Sequence, residues 1–219
     1  MALTLIMFIQ LNDLLPLYFD PSKKTRSEIW GKQLTFQNGE YIKIVAPSGS
    51  GKTSLIHFLY GLRTQFSGTV LYDTIPVKEI NKEQLALLRK DSISIVLQDM
   101  RLFNEETAFD NINIKRQLNP YHAPEKIEEM ASRLGIKDKL HFKCKTCSFG
   151  EQQRIAIIRS LMQPFDFLLL DEPFSHLDNK NSETAMELML EEAKSRNAAI
   201  IFADLERIDY FPFTRLYHL

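Results

Sequence analysis

Residues 41–54, YIKIVAPSGSGKTS, constrain the chain more than any other stretch. The β-rich run YIKIVA (41–46) passes into small and glycine residues, then Gly-Lys-Thr, then a helical pattern over 52–62. Against the pattern G-x-x-x-x-G-K-[ST], seven of eight positions agree, with Ala46 in place of the first glycine. The motif has meaning only between a strand and a helix, and both patterns are present. Gly49 and Gly51 let the backbone curl so that N–H groups converge on an anion. The candidate nucleotide-binding residues are therefore Ser48, Gly49, Ser50, Gly51, Lys52, Thr53 and Ser54. Lys52 would reach the β- and γ-phosphates, and the Thr53 hydroxyl would hold Mg²⁺. Position 46 needs only a small side chain, so alanine is expected to serve there. The bland alternative is a Gly/Ser turn that caps the following helix.

Further apolar, β-rich runs at ISIVL (93–97), FDFLLL (165–170) and AAIIFA (198–203) read as central parallel strands. Helical patterns occupy 124–135, 151–163 and 182–196. Strand alternating with helix predicts an α/β phosphate-loop core with an open parallel sheet. The 219 residues suit one sizeable domain, 1–219. The N-terminal MALTLIMFIQL is apolar but short of the ~20 residues a spanning helix needs. It has no basic start for a secretory signal and reads as a buried strand. No other run would cross a bilayer, so the chain is expected to be soluble or to reach a membrane through a partner. The last core strand is expected at 198–203, with no appended regulatory domain. A formal net charge of −1 predicts no general attraction to nucleic acid or anionic lipid. Two cysteines, Cys144 and Cys147, imply no disulfide framework and favour a reducing compartment. With His141 they spell H-x-x-C-x-x-C, which lacks a nearby fourth ligand for zinc, and bystander thiols are the preferred reading.

Phe167 to Leu170 form an apolar run that ends abruptly in Asp171 and Glu172. Charges at the end of a strand buried on both faces must be paired or bind a cation. Asp171 can reach a Mg²⁺ held by Thr53, and Glu172 is the candidate to orient and deprotonate an attacking water. A solvated Asp-Glu pair opening a turn before Pro173 is the alternative. In CSFGEQQRIAIIRS (147–160), small polar residues precede a helical apolar repeat, so Ser148 and Gly150 stand at a helix N-terminus. Such an end favours an anion, although Ser148 as a simple cap would explain it too.

Taken together, APSGSGKTS, Gln98 in IVLQDMRLF, CSFGEQQR, LLLDEP and SHLD (175–178) stand in one order along nearly the whole chain. In this the chain resembles the nucleotide-binding subunits of ABC transporters. The resemblance implies a small antiparallel β subdomain and a helical subdomain inserted at about 99–160. It implies ATP and Mg²⁺ as ligands, with Gln98 joining Thr53 and Asp171 at the metal. Ser148, Phe149, Gly150 and Glu151 would form the signature that caps the γ-phosphate of ATP held by the other subunit of a head-to-tail dimer. Asp178 would lie at that dimer interface, and Tyr18 or Phe19 would stack on adenine. Residues 101–118 would receive a short helix of a separate permease, which puts the chain on the cytoplasmic face of the cell membrane. The pattern is similar to subunits of the lipoprotein-releasing, macrolide-exporter and cell-division type.

Three positions depart from the family pattern. Phe149 replaces a glycine and adds bulk near the partner's phosphate, and Glu151 replaces the commoner glutamine. Phe202-Ala203-Asp204 stands where the family has Thr-His-Asp, so Ala203 replaces a histidine that touches the γ-phosphate. By sequence alone neither His176 nor His218 replaces it. ATP binding with slow hydrolysis is the expectation, in a transporter engine or in a nucleotide-gated subunit of a membrane-remodelling or cell-division complex. A soluble relative acting on DNA or ribosomes is disfavoured. The stretch between Lys52 and Ser148 is short and without extended heptads, and the chain carries one cassette rather than two.

Overall fold

The computed structural model describes residues 6–18, 27–205 and 210–219. Five parallel strands form the central sheet in the order β6-β7-β8-β3-β9. They are β3 (Tyr41–Val45), β6 (Ile93–Val96), β7 (Phe167–Asp171), β8 (Ala199–Asp204) and β9 (Arg215–His218). A second, antiparallel sheet runs β2-β1-β4-β5, from β1 (Phe8–Pro16), β2 (Gln33–Gln37), β4 (Phe66–Tyr72) and β5 (Ile75–Pro76). The α/β phosphate-loop fold with a small antiparallel layer is thus as the motifs predict.

Helices cover both faces of the parallel sheet, so its strands read as unbroken apolar runs. Side-chain alternation along β8 makes the two cores visible. Ile200 and Phe202 enter the core shared with α5 (Phe149–Leu161) and α6 (Asn179–Ser195). Ala199, Ile201 and Ala203 enter the core shared with α1 (Lys52–Leu59) and the antiparallel sheet. Ala203 and Asp171 are register partners on adjacent strands. The odd-numbered Phe167 and Leu169 of β7 lie in that same α1-side core, and alternation puts Asp171 on their face.

Helices α3 (Ala108–Leu118) and α4 (Glu125–Arg133) pack on each other and on α5, with Ile112, Ile127, Met130 and Ile155 in one core. Among the described residues no helix is long and apolar enough to cross a membrane.

Four details differ from the sequence reading. The N-terminal strand starts at Phe8 and runs on to Pro16, and residues 1–5 lie outside the described set. β7 begins at Phe167, because the Asp166 carboxylate turns aside to accept the Ile6 N–H at 2.9 Å. The 198–203 run is not the last core strand: β9 follows and pairs in parallel with β3. Its sequence, RLYH, hides that role because an edge strand can stay half polar, and Arg215 bonds back to the Thr35 carbonyl and Glu40. Helix α2 (Lys82–Asp91) has Leu88 as its one buried residue and gives no apolar stripe to read.

Candidate active site

The loop between β3 and α1 turns on two glycines with positive φ, Gly49 (74°) and Gly51 (105°). At Gly51 the demand is double. Its φ excludes ordinary side chains, and a Cβ there would stand 3.1 Å from the Trp30 ring. Trp30 also donates its indole N–H to the Ser50 carbonyl at 3.4 Å, so a buried ring props the loop from behind. Ser48 and Gly49 are exposed at the loop tip, and Ser50 is half-buried.

Lys52 points back under this loop. Its ammonium donates to the carbonyls of Ala46 (2.8 Å) and Pro47 (3.1 Å) and lies 3.2 Å from Glu172 Oε1. Gln98 donates from Nε2 to the other carboxylate oxygen, Oε2, at 3.1 Å. Glu172 is held by its backbone, which adopts the left-handed region (φ 47°) and donates its N–H to the Ala203 carbonyl at 2.9 Å. That conformation is costly for a non-glycine residue and aims the carboxylate at Lys52 and Gln98. Thr53 donates its hydroxyl to Asp171 Oδ1 at 3.2 Å. Lys52, Thr53, Gln98, Asp171 and Glu172, far apart in the chain, therefore form one bonded cluster.

Asp171 is fully buried, and Oδ2 has no hydrogen-bond partner. Burial pushes its pKa up to about 6, against the lowering effect of the Thr53 hydroxyl. An unpartnered buried carboxylate oxygen beside a hydroxyl and an amide side chain is an all-oxygen donor set, which suits a hard divalent cation such as Mg²⁺. Thr53, Asp171 and Gln98 are the residues that would hold it.

Ser148 caps α5. Its Oγ accepts the Glu151 N–H at 3.3 Å while the Glu151 carboxylate accepts the Ser148 N–H at 2.7 Å. This reciprocal box is the simple-cap arrangement, and the Ser148 backbone N–H holds the Glu151 carboxyl below the usual range. The Ser148 hydroxyl hydrogen stays available to a second acceptor. Phe149 is 65% exposed. Gly150 is required by contact: a Cβ there would lie 2.9 Å from the His176 carbonyl. Asp178 caps α6 by accepting the Asn181 N–H at 2.8 Å, which lowers its pKa.

Gln153 was not among the sequence candidates. It is fully buried, accepts the His176 N–H at 2.9 Å, and donates to Ser175 Oγ (3.3 Å) and the Glu172 carbonyl (3.4 Å). It ties the α5 N-terminal turns to the loop that carries Glu172. Nothing in the sequence separates it from its neighbour Gln152, whose amide instead bonds the carbonyls of Cys144 and Cys147. Tyr18 is exposed, and its hydroxyl lies 2.5 Å from Ser54 Oγ on α1, while Phe19 lies outside the described residues. In the H-x-x-C-x-x-C stretch, His141 stacks on Phe109 and buried Cys144 takes a 3.2 Å hydrogen bond from Asn111, its thiol pKa raised by burial to about 11. A groove of about 400 Å³ runs along α3, lined by Phe103, Glu106, Asp110, Asn113, Ile114 and Gln117.

The protein-family profile described as "ABC transporter" matches residues 31–175. The lipoprotein-releasing system ATP-binding protein LolD of Legionella pneumophila (strain Lens) is 35% identical over 174 residues, 78% of this chain and 77% of its own. The macrolide export ATP-binding/permease protein MacB of Nitrosomonas europaea is 32% identical over 88% of this chain, which spans 30% of that longer protein. Among solved structures, a dimeric post-hydrolysis state of the ATP-binding cassette MJ0796, bound to ADP and Pi, superposes with a TM-score of 0.82. It is 24% identical and covers 96% of this chain and 94% of its own.

Proposed function

The chain belongs to the ABC transporter family as an ATP-binding subunit, and from that membership we propose that it binds and hydrolyses Mg-ATP in a head-to-tail dimer that drives a separate permease. The observation that carries the proposal is the convergence of Lys52, Thr53, Gln98, Asp171 and Glu172 into one bonded cluster beneath the loop. Residues 48–54 receive the phosphates through backbone N–H groups, and Lys52 exchanges its two carbonyl partners for β- and γ-phosphate oxygens. Mg²⁺, when bound, neutralises charge developing on those oxygens. Glu172 accepts the proton of the water whose oxygen attacks the γ-phosphorus, while the bond to the bridging oxygen of ADP breaks. The strained backbone at Glu172 and its bond to Gln98 position that carboxylate before ATP arrives.

Ser148 and the first N–H groups of α5, with Phe149, Gly150 and Glu151 around them, face the partner's γ-phosphate, and Asp178 lies at the dimer interface. Tyr18, beside α1, is the remaining candidate for adenine stacking. The groove along α3, with Phe103 and Ile114 exposed in it, is the surface for the permease, and the subunit works at the cytoplasmic face of the membrane. Ala203 supports slow turnover, because the β8 end beside Asp171 offers a methyl group where a phosphate-directed side chain would act. The same observation favours a second reading, a weakly hydrolysing, nucleotide-gated subunit of a membrane-remodelling or cell-division complex.

The test is Glu172→Gln protein with Mg-ATP, followed by light scattering and used as bait on detergent-solubilised source membranes. An ATP-dependent dimer that recovers a polytopic membrane protein is the expected result. A protein that stays monomeric, or that recovers only soluble or ribosomal partners, would overturn the proposal.

A further inference from the structure

Two residues that look like unrelated oddities in the sequence are in contact. The Phe149 and His176 rings stack at 5.3 Å with 22° between their planes, and both are exposed. The loop carrying His176 is seated tightly on α5. Its carbonyl packs against Gly150, its N–H donates to buried Gln153, and its Nδ1 lies 3.0 Å from Ser175 Oγ. Ser175 is in turn bonded to Gln153. The imidazole is thus oriented from below by a hydrogen bond and from the side by a ring. With Nδ1 engaged, Nε2 is the ring nitrogen left to meet a phosphate oxygen. At the β8 end of the same chain, position 203 supplies only a buried methyl group.

We propose that His176 contacts the γ-phosphate of ATP held by a second copy of this chain, with Phe149 as the platform that holds its ring. The missing imidazole is then supplied in trans, from beside Ser148, rather than in cis from β8. This rests on the head-to-tail arrangement proposed above. It also gives the bulk of Phe149 a use, since the ring that crowds the signature is the one on which the imidazole lies.

The experiment is first-turnover phosphate release from Mg-ATP by the full chain, with dimerisation of the Glu172→Gln protein followed in parallel by light scattering. His176→Ala is expected to slow release by about tenfold or more, the loss of one charge-assisted hydrogen bond. His176→Gln, whose amide keeps a donor at similar reach, should restore most of it. An equimolar mixture of Glu172→Gln and His176→Ala chains should show a burst that neither shows alone, because one site then combines an intact Glu172 with the partner's intact His176. If the Glu172→Gln protein dimerises but His176→Ala hydrolyses at the wild-type rate, this proposal falls and the dimer reading stands. A mixture without a burst, or a glutamine variant as slow as alanine, also overturns it. Failure of Glu172→Gln to dimerise overturns both.

Discussion

Asp171→Asn separates what the buried carboxylate costs the free protein from what it does with nucleotide. The side chain is fully buried, one oxygen has no partner, and burial pushes its pKa up to about 6, compared with about 3.9 for an ordinary aspartate. At 1.36 kcal/mol per pH unit, that rise amounts to about 3 kcal/mol of destabilisation once the group is charged. The folded state binds the proton more tightly than the unfolded chain does. Stability is therefore lost as pH rises from about 4 to about 6, and stays lost above. Asparagine keeps an acceptor for the Thr53 hydroxyl and carries no charge. Without nucleotide, Asp171→Asn should be about 2–3 kcal/mol more stable than wild type at pH 8, with the gap closing toward pH 4. Urea denaturation followed by the fluorescence of Trp30, the single tryptophan, measures this directly. With Mg-ATP the order should reverse, because bound ligand stabilises the wild type and finds no carboxylate in the variant. An asparagine variant less stable than wild type at pH 8 without nucleotide would refute the reasoning. It would mean that Lys52 and Thr53 already compensate the charge and that Asp171 does not await a cation.

Three further outcomes follow from the same geometry. Gly150→Ala puts a Cβ against the His176 carbonyl, a backbone atom that cannot swing away, and should cost about 1–3 kcal/mol in urea denaturation. Ala203→His, on the α1 side of the sheet beside Asp171, should raise steady-state ATP turnover by about tenfold, and an unchanged or lower rate counts against slow hydrolysis at this position. Glu192 is buried, which alone would raise its pKa, but its bond with His122 and the charge of Arg196 outweigh burial and hold it below the usual range. Its contribution is present above the ordinary glutamate value and is lost as pH falls through the lower folded value. Glu192→Gln, which leaves Arg196 buried and unpaired, should cost about 3 kcal/mol at pH 7 and almost nothing at pH 3, read by thermal unfolding across pH.

Legibility in the sequence followed the range of the interactions. Strands β3, β6, β7 and β8 could be read because burial on both faces writes an apolar run into the chain. The same logic made β9 and α2 invisible, since an edge strand and a helix with one buried leucine leave no run to find. The phosphate loop was legible for a stricter reason. Its glycines, lysine and threonine act within a few residues of each other, between one strand and one helix.

What the sequence alone determined is this set of local devices: the turn at Gly49 and Gly51, the cap at Ser148, and the abrupt charges after Leu170. Their family order adds the roles. Only the tertiary structure decided which devices meet. Parallel pairing of β7 with β8 puts Ala203 beside Asp171 and lets its carbonyl fix the Glu172 backbone. Burial of Gln153 joins the α5 turn to the loop after β7, and packing at Gly150 lays His176 on Phe149. Contacts between residues distant in the chain depend on strand order and on which face each side chain takes. No local pattern encodes either, so the pairing of the two oddities at 149 and 176 could appear only in three dimensions.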